Sequence, residues 1–236
     1  MISFILGILV GLLNVLFKST LVTRTLYVGA WGCFFSDIGT FLTSIGCWVM
    51  MPYIVARSPL SKTKRKAATN CLLVLAGTMF GYHFGYYYGI RPSWADSLSD
   101  FLGLYDYLWF IIACIFGFIF GYLIHPTPFI WKNRKFDLNN WQRCFVFSTC
   151  IAESIWWIIW HPNGVFIEYT HLIVELVIGL LFFIISNHNN LKDFKQYLRL
   201  FILSIMEFLI ILTTYFWLFS FLNYMNAEHP SVFFFN

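Results

Sequence analysis

The sequence predicts an all-α fold: a polytopic transmembrane helix bundle of about seven spans, N-terminus inside and C-terminus outside, in one integral membrane domain over residues 1–236. Composition is the first observation behind this expectation. The 236 residues are 59% hydrophobic and 22% aromatic but only 11% charged, against roughly 25% charged in soluble domains. The second is punctuation. Apolar runs of about 20 residues, the length a helical span requires, alternate with short polar or basic turns and leave no room for a separate soluble domain.

Residues 2–17 form the first run. It lacks a basic leader and a small-residue cleavage site, so it reads as a retained helix and not a signal peptide. Gly7 and Gly11 give it a GxxxG face that permits close helix approach. Ser36 and Asp37 then break the long stretch 25–56. Both residue types favour helix N-caps, so a helix is expected over residues 38–56, with 26–35 re-entrant or interfacial. Asp37 would sit near its outer end.

The third run, 68–89, carries Gly77, Gly81, Gly85 and Gly89 on one ridge. Glycine costs roughly 1 kcal/mol against alanine in a helix interior, which a tightly packed neighbouring backbone offsets. The expected partner is the fourth run, 105–124, with Ala113, Gly117 and Gly121 at the same spacing. Runs at 141–160, 167–186 and 197–222 complete the set. His125-Pro126, Pro162-Asn163-Gly164 and Asn187 to Asn190 mark the turns between them.

Most of the fifteen basic residues fall in alternate loops: Arg57 to Lys66, Lys132 to Arg143, and Lys192 to Arg199. That asymmetry sets the expected orientation. It is a topology signal, and no nucleic-acid partner is implied; the expected partner is the lipid bilayer. The cysteines Cys33, Cys47, Cys71, Cys114, Cys144 and Cys150 form no CxxC pair. They read as small buried hydrophobes, with no disulfide framework or zinc ribbon.

Chemistry concentrates in three acids. Glu153, Glu175 and Glu207 each lie within one of the last three apolar runs, without an accompanying lysine or arginine there. A carboxylate in hydrocarbon is costly and marks a site by default. The expected depths coincide, so the three acids define a candidate binding pocket. His171 lies four residues before Glu175 and shares its helix face. His83 and Asp37 are further binding candidates. The plainer alternative is a protonated glutamate hydrogen-bonded to the neighbouring helix, its pKa raised by burial. For His83 a packing role, and for Asp37 a cap role, are the corresponding plain readings.

Carboxylate and imidazole together could hold a divalent metal, but Glu168-x-x-His171-x-x-x-Glu175 is not HExxH and implies no zinc peptidase. No GxSxG, phosphate-binding loop or Ser/His/Asp arrangement occurs, so no catalytic residue and no cofactor are expected. Tyr82, Tyr86 to Tyr88, Trp156, Trp157 and Trp160 fit interfacial belts.

Trp31 with Ser36-Asp37-Ile38-Gly39-Thr40, Ala56-Arg57-Ser58-Pro59-Leu60, Gly81-Tyr82, Ala152-Glu153 and Glu175 to Gly179 run across most of the chain. In these features it resembles a small, functionally uncharacterised family of bacterial multi-pass membrane proteins. The resemblance implies a bacterial cytoplasmic membrane and a helical bundle, and no activity. The leading functional expectation is binding or transport of a cationic solute or protons through the carboxylate site. The alternatives are an accessory, immunity or structural subunit docking through the glycine ridges, and a metal-dependent intramembrane enzyme.

Overall fold

The computed structural model describes residues 1–18, 37–42, 44–85, 104–127, 129–131, 134–136, 139–160, 170–187 and 194–228. The apolar runs become helices: α1 (Ile2–Lys18), α2 (Ile45–Arg57), α3 (Lys64–Phe84), α4 (Leu104–Ile124), α5 (Asn139–Trp160), α6 (Thr170–Asn187) and α7 (Phe194–Glu228). Between α4 and α5 a two-stranded antiparallel ribbon pairs β1 (Phe129–Trp131) with β2 (Arg134–Phe136), Ile130 opposite Lys135. No sequence signal had indicated it.

Local capping sets where α2 and α3 begin. The expected single helix over 38–56 is divided: residues 37–42 are helical, and α2 starts afresh at Ile45. Its N-cap is Ser44, in extended conformation, whose Oγ accepts from the Cys47 N–H at 3.1 Å. Asp37 lies within the first of these segments and does not cap α2. The α3 helix starts four residues earlier than expected because Thr63 caps it, accepting from the Lys66 N–H. Gly89, Tyr86 to Tyr88 and Glu168 lie outside the described residues.

Glycine decides which helices touch. A Cβ on Gly77 or Gly81 would strike the backbone of α1 at Phe4 and Ile8, while one on Gly7 or Gly11 would strike α3 at Val74, Thr78 and Tyr82. The α3 ridge and the α1 GxxxG face are therefore each other's partners, running parallel. This corrects the expected pairing of that ridge with α4. Gly117 and Gly121 of α4 do reach α3, but on a different face, over Ala67, Cys71 and Leu72.

The α2 helix joins two groups. It packs on α3, α4 and α5. On one side α3 carries α1 and α4; on the other α5 carries α6 and α7. The main apolar core follows this plan, with Val49, Tyr53 and Val55 of α2 among Cys71, Val74 and Leu75 of α3, Ala113 and Phe120 of α4, and Val146 and Cys150 of α5.

The polytopic part of the expectation is corrected. Among the described residues no helix is long and apolar enough to cross a membrane. With 17 and 13 residues, α1 and α2 are short for a span. Lys64, Arg65, Lys66 and Asn70 occupy the start of α3; Asn139, Gln142, Arg143 and Glu153 interrupt α5; His171, Glu175 and Asn187 interrupt α6. Helical class stands, but the transmembrane bundle, the N-in/C-out orientation, the multi-pass description and the cell-membrane localisation lose their support, and the bilayer as partner rested on the same reading. Large apolar side chains nevertheless stay uncovered along α6 and α7, with Ile185 74% and Trp217 73% exposed.

Candidate functional site

The α2 helix begins with backbone N–H groups that need acceptors, as every helix does. Cys47 is served by Ser44. The two before it are served by a remote side chain: Ile45 N–H donates to Glu153 Oε1 at 3.0 Å and Gly46 N–H donates to Glu153 Oε2 at 2.8 Å. Both carboxylate oxygens of an α5 residue thus close the first turn of α2. The positive end of the helix dipole favours an anion there.

Glu175 of α6 joins the same place. Its Oε1 stands over Gly46, where a Cβ would come within 2.5 Å of it and within 2.8 Å of Cys150 Sγ. A larger residue at this spot would have to displace the carboxyl or the thiol. Glu175 is 1% exposed and Glu153 6%. Among the described residues Glu175 Oε1 has no hydrogen-bond partner.

The two acids differ electrostatically. Burial raises the Glu153 carboxyl above its usual range, but a hydrogen bond from Glu175 and the two α2 amides hold it down. Burial raises Glu175 as well, and the Glu153 charge and the hydrogen bond to it push further upward. Two carboxyls in one buried place cannot both ionise cheaply. Glu153, aimed at two amides, is the better placed of the two to carry the charge, and Glu175 the better placed to keep the proton. Burial, then the two acids, also raise the Cys47 thiol to about 12 and push the Cys150 thiol upward, there with Glu175 ahead of Glu153.

Glu207 does not join them. The Ser148 hydroxyl of α5 lies within hydrogen-bond reach of Glu207 Oε2, at 3.2 Å, and of the Ser204 carbonyl, at 3.0 Å, in the seam between α5 and α7. At 3.6 residues per turn, Ser148 and Glu153 point about 140° apart around α5, so an acid at one cannot meet an acid at the other. Burial raises the Glu207 carboxyl to about 8, with the Ser148 hydroxyl pulling the other way. Among the described residues Glu207 Oε1 has no hydrogen-bond partner.

His171 lies one turn along α6 from Glu175 and packs edge-on to Trp157, ring centroids 5.7 Å apart. Trp157 in turn lies one turn from Glu153, so the imidazole sits about 6 Å further along the helices than the acid pair. His83 packs edge-on to Tyr82 at 5.3 Å on α3, away from the acids. Asp37 belongs to the segment 37–42, whose Gly39 carbonyl accepts from the buried Asn14 side chain of α1 at 2.9 Å. Of the six sequence candidates, the structure brings Glu153 and Glu175 together, sets His171 one turn off, and leaves the others elsewhere. Among the described residues no group of three or more His, Cys, Asp or Glu is placed to hold a metal ion.

Sequence reasoning missed Ser44, Gly46 and Cys150 as surroundings of the pair. Ser44 ahead of Ile45 was the one local signal that could have found the cap. No family model, curated protein or solved structure matches the chain.

Proposed function

We propose that the chain is a binding protein whose site is the Glu153–Glu175 pair, with a proton as the occupant it takes up and releases. The supporting observation is a buried carboxyl pair at a helix start in which one oxygen, Glu175 Oε1, has no hydrogen-bond partner among the described residues. Neutral Glu175 is tolerated beside ionised Glu153. Loss of its proton sets a second negative charge against Gly46 and favours release of the α2 first turn or entry of a cation in the proton's place. Glu207 is a separate buried acid and takes no part.

Infrared titration of purified protein in a Glu207→Gln background tests this. A protonated-carboxyl band is expected at neutral pH and disappears on adding Glu175→Gln. Survival of that band without Glu175 would overturn the reading. A small amine or alkali cation that erases the band at constant pH would make the cation, not the proton, the occupant.

A second reading, a subunit that packs against a larger partner, is favoured by the uncovered apolar faces of α6 and α7. Mass measurement of the purified chain bears on it: a monodisperse monomer at high concentration argues against a partner there.

A further inference from the structure

The opposite end of α2 carries the inverse chemistry. Arg57, in its last turn, points at the start of α5: Nη2 donates to Asn139 Oδ1 at 2.6 Å and to Gln142 Oε1 at 2.8 Å. Its guanidinium also lies over the Tyr53 ring, 4.9 Å from the centroid. Asn139, Gln142 and Arg143 fall at i, i+3 and i+4 and share one face of α5, and the Arg143 charge is felt at Arg57. The Gln142 amide is fixed by donating to the carbonyls of Leu123, at 2.5 Å, and His125, at 3.4 Å. His125 Nε2 donates to the Ser61 carbonyl at 2.9 Å, which ties the following loop to the same corner.

Among the described residues every partner of Arg57 is neutral. The Nε groups of both Arg57 and Arg143 are buried without a hydrogen-bond partner among the described residues. Burial weakens the proton's hold on Arg57; the Tyr53 hydroxyl opposes this, and the Arg143 charge adds to it. Arg57 and Arg143 thus lie near enough for the charge of one to act on the other, each with a buried Nε donor unpaired among the described residues, at the N-terminal end of a 22-residue helix. Guanidinium forks match tetrahedral oxyanions in geometry, and helix N-termini add their own attraction for anions. Both arginines remain partly exposed, so the corner is reachable from water.

We propose that Arg57 and Arg143, framed by Asn139, Gln142 and Tyr53, form a binding site for a phosphate-type oxyanion, as the free ion or as the phosphomonoester end of a small molecule. A doubly charged oxyanion balances both arginines; a monocarboxylate balances one and reaches fewer of the donors. Arg143 is the informative residue to change, since Arg57 also holds α2 to α5.

The test is a calorimetric titration of the full chain with inorganic phosphate at fixed ionic strength, with acetate and chloride as comparisons and glucose 6-phosphate and glucose as a matched ester pair. Saturable phosphate binding is expected, at least tenfold tighter than acetate, and weakened tenfold or more by Arg143→Gln. Arg143→Lys keeps the charge without the fork and is expected between the two. Glucose 6-phosphate binding tighter than phosphate identifies an ester as the ligand; equal binding identifies the free ion. Should Arg143→Gln fail to fold, phosphorus NMR line broadening on the wild-type chain gives the answer alone. Absence of saturable phosphate binding by the wild-type chain, or equal affinity in a folded Arg143→Gln variant, overturns the proposal.

Discussion

Replacing Glu153 by Gln changes the α2 first turn without changing side-chain volume. The carboxylate accepts from two amides, Ile45 and Gly46, at 3.0 and 2.8 Å. A glutamine carbonyl can keep one of these; its amide nitrogen then faces the other N–H, leaving two donors opposed in a buried place. Hydrogen bonds to charged groups contribute about 1.5–3 kcal/mol each, and a buried donor left unpaired costs about 1–3 kcal/mol. Loss of the anion at the helix start removes up to about 2 kcal/mol more. Relief of the burial penalty on the charge works against these. The expected net loss is about 2–4 kcal/mol. Urea melts at neutral pH measure it, and hydrogen exchange at Ile45 and Gly46 locates it. A variant within about 0.5 kcal/mol of the parent, the ordinary range for a surface change, with both amides still protected, would refute the cap.

Further outcomes follow from other contacts. Gly81→Ala places a Cβ against the Ile8 backbone, whereas Gly85→Ala meets the flexible end of Leu12 at 3.1 Å; thermal melts should show the first losing about 1–3 kcal/mol, as overpacked cores do, and the second clearly less. Because the Glu207 carboxyl is raised in the folded chain, its contribution is full below the usual value of 4.5 and is lost as pH rises to about 8. Glu207→Gln should therefore flatten the fall of stability with pH across that window, and an unchanged slope would contradict the burial argument. In a Cys33→Ser background, Cys47, with its thiol raised to about 12, should resist alkylation at pH 7 while the half-buried Cys114 reacts first; mass-spectrometric mapping decides.

Much of the helical order was legible because apolar runs end at Pro, Asn-Gly and basic clusters: the fourth run, expected over 105–124, is α4, Leu104–Ile124. Pairing was less legible. The glycine spacing in α3 announces a face of close approach but not its owner, and α1 and α4 offer the same motif; only the backbone contacts assign it to α1. The break at Ser44 was hidden because Ser36 and Asp37 give a stronger local cap signal. For the site, the expected shared depth grouped Glu153, Glu175 and Glu207 but said nothing about direction around α5, and Glu207 lies in its own seam with Ser148. The amides that Glu153 serves are backbone groups more than a hundred residues away, invisible to any side-chain pattern. The long apolar runs suggested spans, yet polar residues inside α3, α5 and α6 and the shortness of α1 and α2 deny them that support.

One helix grips another at both extremities. Glu153 of α5 receives the amides that open α2, and Asn139 and Gln142 of the same helix receive the guanidinium that ends it. Each fastening has the polarity that the α2 dipole favours. A strut so held cannot slide along its axis without releasing both fastenings together. Whatever changes the charge at the acid end therefore pulls on the arginine corner about 20 Å away, and an anion settling at that corner should in turn alter how readily Glu175 gives up its proton.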